Sequence, residues 1–477
     1  MPDQINAIVL YPSPGWGHLI AMVELGKLIL QHHPSFSITV IVFHTQNMAT
    51  PTFFADQYVT AINATCPSIT FLHLPPVSDT PPPSTTSSSS PLEIMVFLLP
   101  LLNNTNLHQA LRTISQTSNV KAFIIDFFCD AAFQVAANLC IPTYYFITSS
   151  ALALVLALCN PTHHKSMDKS SEGLDHMLAD ITGLPLIPAS DLPRIVTDRG
   201  SQAYQFFLNC GINMARANGL IVNSFEQLER KAIKAISDGL CVADGPTPPV
   251  FGIGPLISLS NNQGTDNEQH DQCMNWLNSQ PSQSVVFLCF GSMGLFSAEQ
   301  LKEIAAGLEN SGQRFLWVVR NPPPDNDKEP KLDELLPKGF LERTNDRGFV
   351  MKQWAPQVEV LSHDSVGGFV THCGWNSLLE AVCGGVPMIG WPLFAEQRMN
   401  RVIMVKELKV ALAVNESENG WVSGEELEKR VRELMDSDEG KEVRKRVSAM
   451  RDAAAKAMRK GGSSRNDFEK LVGLWLS

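Results

Sequence analysis

No C-x-x-C pair occurs among the 10 cysteines of this 477-residue chain, which scatter from Cys66 to Cys383. That spacing argues against a thiolate zinc site and a disulfide framework, and it fits a reducing compartment. Excess positive charge is missing too: 37 Lys and Arg against 48 Asp and Glu leave a net charge of −11. Such a chain has no electrostatic footprint for nucleic acid. The start, Met1-Pro2-Asp3-Gln4, lacks a basic segment, and the first apolar run, Ala7 to Tyr11, is too short for a signal peptide. The best membrane candidate, Ile147 to Cys159, contains Thr148, Ser149 and Ser150. It falls short of the ~20 residues a spanning helix needs, so a buried helix is expected there. The expectation is a soluble cytoplasmic protein with no membrane span.

What is present is globular: 44% hydrophobic and 18% charged residues. The length suggests two or three domains. Strand and helix patterns alternate from the start. Ala7 to Tyr11 predicts a strand, followed by the turn Pro12-Ser13-Pro14-Gly15-Trp16-Gly17 and a helix with Met22, Leu25, Leu28 and Ile29 on one face. Residues 36–43, 122–125 and 143–147 predict further strands. Continuous apolar strands separated by helices imply α/β architecture with parallel sheets. The Pro/Ser/Thr-rich run 75–91 predicts a loop, as does the Pro- and charge-rich run 321–337. Residues 245–280, rich in Gly, Pro, Asn and Gln, predict an interdomain region. The alternation then restarts with strands at 284–290, 315–319, 349–351, 368–371 and 386–390. Ser297-Ala298-Glu299-Gln300 predicts a capping box opening a helix to about Asn310, and the tail from Glu425 predicts helix.

Sites in open α/β sheets lie beyond the carboxyl ends of the strands, and in a two-domain chain the natural site is the cleft between the halves. Three motifs stand at such ends. The first is Gly15-Trp16-Gly17-His18. A dinucleotide fingerprint would need a third glycine where Ile20 stands, and an acid where the second strand ends in Phe43-His44-Thr45. An NAD-type oxidoreductase is therefore disfavoured. What remains is a turn placing His18 at a helix start; the plainer alternative is a histidine capping that helix. The second is Asp126, after the strand 122–125. It can orient a histidine acting as general base, or simply cap a helix. The third runs from Trp354 to Gln397. There the strand 368–371 leads through His372-Cys373-Gly374-Trp375-Asn376-Ser377 into a helix, which offers free backbone N–H groups and a positive dipole end to an anion. Glu380 follows one turn on, and Glu396-Gln397 close the segment. An aromatic platform, anion donors, an acid and an amide together suit a nucleotide sugar.

This segment resembles the plant secondary-product signature of the family 1 UDP-dependent glycosyltransferases at all 44 of its positions. PSPGWGHL near the start, IIDFF mid-domain and VVFLCFGS opening the second half extend the resemblance along the chain. It is most similar to the branch that glucosylates flavonoids, chalcones and simple phenols. The resemblance implies a GT-B type fold of two facing Rossmann-like domains: residues 1–250 binding the acceptor, 251–460 binding the UDP-sugar, and a C-terminal helix, 461–477, crossing back to the first. It implies stacking of Trp354 on uracil, a backbone bond from Ala355, ribose contacts from Gln357 and Glu380, and diphosphate contacts from Ser292, His372, Asn376 and Ser377 beside Gly374. Trp375, Glu396 and Gln397 match sugar contacts, and Thr148 matches a hydroxyl residue near the sugar. Trp16, Phe128 and Phe394 correspond to acceptor-pocket positions. Position 396 is often Asp in the family, and Trp16 replaces a smaller residue, which should narrow the pocket.

The implied reaction is inverting transfer of glucose from UDP-glucose to a phenolic hydroxyl, with His18 as base and Asp126 supporting it. No cofactor or metal is implied, since UDP-glucose is a co-substrate, and a monomer is expected. Transfer to carbon, nitrogen or sulfur, another UDP-sugar, and a non-catalytic small-molecule binder are the alternatives. Trp317 and Trp391 are expected in the core, and Cys289, Cys373 and Cys383 as small apolar fillers. Pairs such as Asp333-Glu334 should be surface, and His32-His33 and His163-His164 solvated helix-end or loop residues.

Overall fold

The computed structural model describes residues 5–43, 52–77, 91–166, 184–243, 245–258, 267–325 and 328–476, with backbone alone at 52–57, 91–92, 166 and 267. Most of the 75–91 run lies outside the described residues, as does the end of the second strand at His44-Thr45. The chain divides into two units: Met1–Ser258 with Lys456–Ser477, and Leu259–Ala455. The divisions thus fall at 258 and 455, where the sequence suggested 250 and 460.

The first unit holds a seven-stranded sheet of β1 (Ile5–Tyr11), β2 (Ser37–Val42), β3 (Ile69–His73), β4 (Ser118–Asp126), β5 (Thr143–Ile147), β6 (Gly219–Val222) and β7 (Val250–Gly252). Its order is β3-β2-β1-β4-β5-β6-β7, and the pairings are parallel. β1 is fully buried from Ala7 on, as a strand covered on both faces must be. The last helix, Ser463–Leu476, joins this unit through Trp475, 1% exposed and edge-on to Phe36 and Tyr144. Ser464 Oγ also donates to Gly254 O at 2.6 Å.

The second unit holds six strands: β8 (Val285–Cys289), β9 (Arg314–Val319), β10 (Gly348–Lys352), β11 (Val366–Thr371), β12 (Met388–Gly390) and β13 (Ala411–Ala413). Their order is β10-β9-β8-β11-β12-β13, again with parallel pairings. Trp317 and Trp391 are each 1% exposed in its core.

Several expectations change on contact with the structure. The 245–280 stretch contains the division between units, but also β7 and the helix Asn267–Asn278. Within 321–337 a short helix forms at Leu332–Leu335. Helix Ala151–Ser166 starts only after Thr148-Ser149-Ser150, because β5 continues to Ile147. His163 is buried in the last turn of that helix rather than solvated, and burial lowers its pKa. The capping box is half made. Ser297 Oγ accepts from Gln300 N at 3.2 Å, but the Gln300 amide bonds to both backbone groups of Val422 instead.

Candidate active site

In each sheet the strand order reverses beside the first strand: between β1 and β4, and between β8 and β11. Two loops diverge at such a point and leave an opening at the carboxyl ends. In the first unit those loops carry His18 and Asp126. In the second they carry Ser292 and the run His372–Ser377.

Register sets the first cluster. Tyr11 pairs with Ile125, so Asp126 lies one residue past the end of β1, as the last residue of β4. It is 0% exposed. It begins a 3-10 turn, Phe127–Cys129, but its side chain makes no cap bond, which removes the capping alternative. His18 lies in the first turn of helix Trp16–His32. His18 Nδ1 is 2.9 Å from Asp126 Oδ2 and 2.9 Å from Thr148 Oγ1. Thr148 Oγ1 also donates to Asp126 Oδ2 at 3.4 Å. The other carboxylate oxygen, Oδ1, accepts from Ser13 Oγ at 2.6 Å, and Ser13 Oγ in turn accepts from Phe128 N at 3.2 Å. A buried carboxylate is tolerated only with partners of this kind. Directed at a carboxylate, Nδ1 carries the proton, which leaves the lone pair on Nε2. The His18 side chain is 28% exposed, so that lone pair can meet a ligand.

Ser13 is the residue that sequence reasoning misses. It stands between two prolines directly behind β1, and the pattern reads only as a turn. An aromatic series beside His18 is partly missed as well. Phe128 is edge-on to His18 at 5.5 Å and to Phe97 at 4.9 Å, and Phe97 stacks on Phe206 at 5.2 Å. Trp16 is 7% exposed and packs edge-on to Tyr58 at 5.2 Å, so it belongs mainly to the core.

The second cluster is built on strained turns. Among the described residues, three of the six non-glycine positions at positive φ are Gln353 (63°), Cys373 (65°) and Ala395 (53°). They stand immediately before Trp354, Gly374 and Glu396. Left-handed backbone costs about 1–2 kcal/mol for such residues, so it marks positions held by their surroundings. Gln357 Nε2 donates to Ser377 Oγ at 2.8 Å and to Glu380 Oε2 at 2.6 Å, which brings three of the expected ligand residues together. Burial pushes the Glu380 carboxyl up to about 7, against the pull of Gln357. Burial lowers His372 to about 4, so its imidazole is neutral. Two glycines enclose the ring: a Cβ at Gly291 would come within 2.7 Å of His372 Nε2, and one at Gly374 within 2.3 Å. Gly374 begins helix Trp375–Gly384, leaving the first N–H groups without a side-chain cap from that position.

Ser292 follows β8, and its carbonyl accepts from Arg320 Nη1, a residue the sequence did not single out. Ala355 is buried and Trp354 half-buried, while Phe394 is 40% exposed. Gln397 differs from expectation. It is buried, and its Oε1 accepts from Leu393 N at 2.8 Å and Phe394 N at 3.0 Å, so the acceptor meant for a sugar hydroxyl holds the loop. Burial pushes the thiols of Cys289, Cys373 and Cys383 up to about 11, 12 and 12, which keeps them protonated. Among the described residues no group of three His, Cys, Asp or Glu is placed to hold a metal, and no helix is long and apolar enough to cross a membrane.

Known proteins place these features. The family model described as UDP-glucoronosyl and UDP-glucosyl transferase matches residues 259–457. The anthocyanidin 5,3-O-glucosyltransferase of a Rosa hybrid cultivar is 52% identical, over 98% of this chain and 99% of its own. Isoflavone 7-O-glucosyltransferase 1 of Glycine max is 50% identical with the same coverage. Among solved structures, Phytolacca americana UGT2 complexed with UDP-2fluoro-glucose and pterostilbene is 36% identical. It superposes with a TM-score of 0.84 over 99% of this chain and 100% of its own. Two Rossmann-like units with parallel sheets, switch-point loops carrying the signature, and identity of this extent lead to one conclusion: the chain belongs to the plant family 1 UDP-dependent glycosyltransferases of GT-B fold, enzymes whose co-substrate is a UDP-sugar.

Proposed function

We propose that this enzyme transfers glucose from UDP-glucose to a hydroxyl of a flavonoid-type phenol, with inversion, and that His18 is its general base. The observation carrying the proposal is the 2.9 Å contact of His18 Nδ1 with Asp126, a fully buried carboxylate whose other oxygen is held by Ser13. Nε2 takes the acceptor proton while the acceptor oxygen attacks the anomeric carbon. The bond from that carbon to the diphosphate oxygen breaks, and UDP leaves with its electron pair. Asp126 stabilises the imidazolium that results, and attack from the face opposite the leaving group inverts the centre. His372, Asn376, Ser377, Ser292 and the backbone N–H groups after Gly374 hold the diphosphate as charge builds there. Trp354 stacks on uracil, Ala355 bonds it through its backbone, and Gln357 with Glu380 takes the ribose. Trp375, Glu396, Thr148 and the Gln397 amide N–H serve the sugar.

Glucose is favoured because the two plant relatives are named glucosyltransferases and the Phytolacca structure contains a glucose donor analogue. A phenol is favoured because anthocyanidins, isoflavones and pterostilbene are phenols, and because Phe128, Phe97 and Phe206 form an aromatic series beside His18. The test is His18→Ala, assayed by UDP release and product mass with UDP-glucose and a flavonoid. Turnover should fall ~10²–10⁴-fold while UDP affinity stays within about twofold, because base catalysis acts on the acceptor. Unchanged turnover on a weakly acidic hydroxyl overturns the proposal.

A further inference from the structure

Glu229 has no part in the chemistry above, yet it is 6% exposed and its carboxylate reaches a second helix. Oε2 accepts from Ala151 N at 2.8 Å and Oε1 from Leu152 N at 3.1 Å, 78 and 77 residues away in sequence. These are the first two N–H groups of helix Ala151–Ser166, the groups a helix leaves without partners. The third, Ala153 N, donates to Ser150 Oγ at 3.1 Å. A carboxylate at this position also meets the positive end of the helix dipole.

The backbone explains how Glu229 arrives there. β5 and β6 are neighbours, with Ile147 paired to Val222, and each runs directly into a loop and then a helix. The helix after β6, Glu226–Ser237, departs from helical geometry at Glu229 (φ −132°, ψ 42°). Asn223 N donates to Ile147 O at 3.1 Å, which fixes the start of the loop 148–150. Glu229 fixes its end. Between the two lies Thr148, whose hydroxyl is 2.9 Å from His18 Nδ1.

We infer that Glu229 is a positioning residue of the transferase: by holding the first turn of helix Ala151–Ser166 it holds Thr148 against His18 and Asp126. The inference rests on the assignment of His18 as base. A glutamine at this position has one acceptor oxygen for two N–H groups and turns an NH₂ donor toward the other. The loop then loses one of its anchors, and small displacements of a catalytic contact are costly to rate. Burial pushes the Glu229 carboxyl up to about 7, opposed by Ser224 and then by its two backbone bonds, so assays at pH 8 keep it mostly ionised.

The experiment is a double-mutant cycle on the full-length enzyme with UDP-glucose and a phenolic acceptor at pH 8. Glu229→Gln should lower kcat about 10- to 100-fold while KM for UDP-glucose stays within about threefold. Thr148→Val should lower kcat too, and adding Glu229→Gln to it should cost less than about twofold more, since both act on one contact. Glu229→Asp keeps two acceptor oxygens on a shorter stem and runs the same cycle if the glutamine variant does not fold. Losses that multiply across the cycle, a silent Thr148→Val, or a kcat unchanged in Glu229→Gln each overturn the inference. His18→Ala measured alongside separates the outcomes: if it is inactive while the cycle is multiplicative, the base assignment stands and the role of Glu229 falls.

Discussion

Replacing Asp126 with asparagine tests the proposed catalytic pair, because an amide is nearly the same shape and removes only the charge. The structure limits how the new side chain can sit. With its oxygen toward His18 Nδ1, the protonation of the imidazole is kept, but the NH₂ faces Ser13 Oγ. That hydroxyl already accepts from Phe128 N, so it must accept twice and send its own hydrogen elsewhere. The nearest alternative is Cys129 Sγ at 3.9 Å, a weak acceptor. With the amide reversed, Ser13 is satisfied but the NH₂ faces Nδ1, which must then give up its proton to Nε2, and His18 ceases to be a base. The first arrangement forfeits a hydrogen bond to a charged group, worth about 1.5–3 kcal/mol, along with the carboxylate's support of the imidazolium. Since ~1.4 kcal/mol is tenfold, kcat should fall at least about 10-fold and up to roughly 100-fold. The assay is initial-rate UDP release at saturating UDP-glucose, with folding checked by circular dichroism. An Asp126→Asn enzyme keeping more than half of parental kcat refutes the reasoning.

Glu380 titrates near 7. If Glu380 takes the ribose as proposed, the hydroxyls donate to its ionised form, so UDP should bind more weakly as pH falls below about 7, up to tenfold per unit where only that form binds. Calorimetry on Glu380→Gln should show this slope lost; an unchanged slope refutes the assignment. Trp16→Ala deletes a side chain 7% exposed, so it should cost about 3–5 kcal/mol of stability and lower the Tm. An unchanged melting curve would contradict its place in the core. With Gln397 Oε1 bonded to two loop N–H groups, Gln397→Ala should weaken use of every donor by disordering the loop. The wild type should still favour UDP-glucose over UDP-galactose and UDP-glucuronate by about tenfold in kcat/KM. Competing donors on one acceptor measure both, and a Gln397→Ala enzyme that loses only the preference for glucose would refute the loop role.

Periodicity and motif chemistry made much of this protein legible in one dimension. The apolar runs of β1, β5 and β9 declared themselves because parallel strands are buried on both faces. The 44 residues from Trp354 to Gln397 carried the family, because a nucleotide-sugar site draws on one contiguous strand–turn–helix. His18 and Asp126 stood out as candidates for a related reason: Asp126 ends the apolar strand β4, and His18 opens the helix that follows β1. The sequence could not pair them, since their meeting depends on β1 lying beside β4, 108 residues apart in chain. Ser13, Phe97 and Glu229 were invisible for the same cause. A serine between prolines, one phenylalanine in an apolar helix and one glutamate among helical charges have ordinary local chemistry. Only sheet order gives each its partner. Gln397 shows the same limit at short range, because its carbonyl is taken up by loop N–H groups three and four residues away before any sugar can meet it. Local pattern decides which segments become strand or helix; tertiary register decides which polar atoms are left to meet, and the chemistry follows from that meeting.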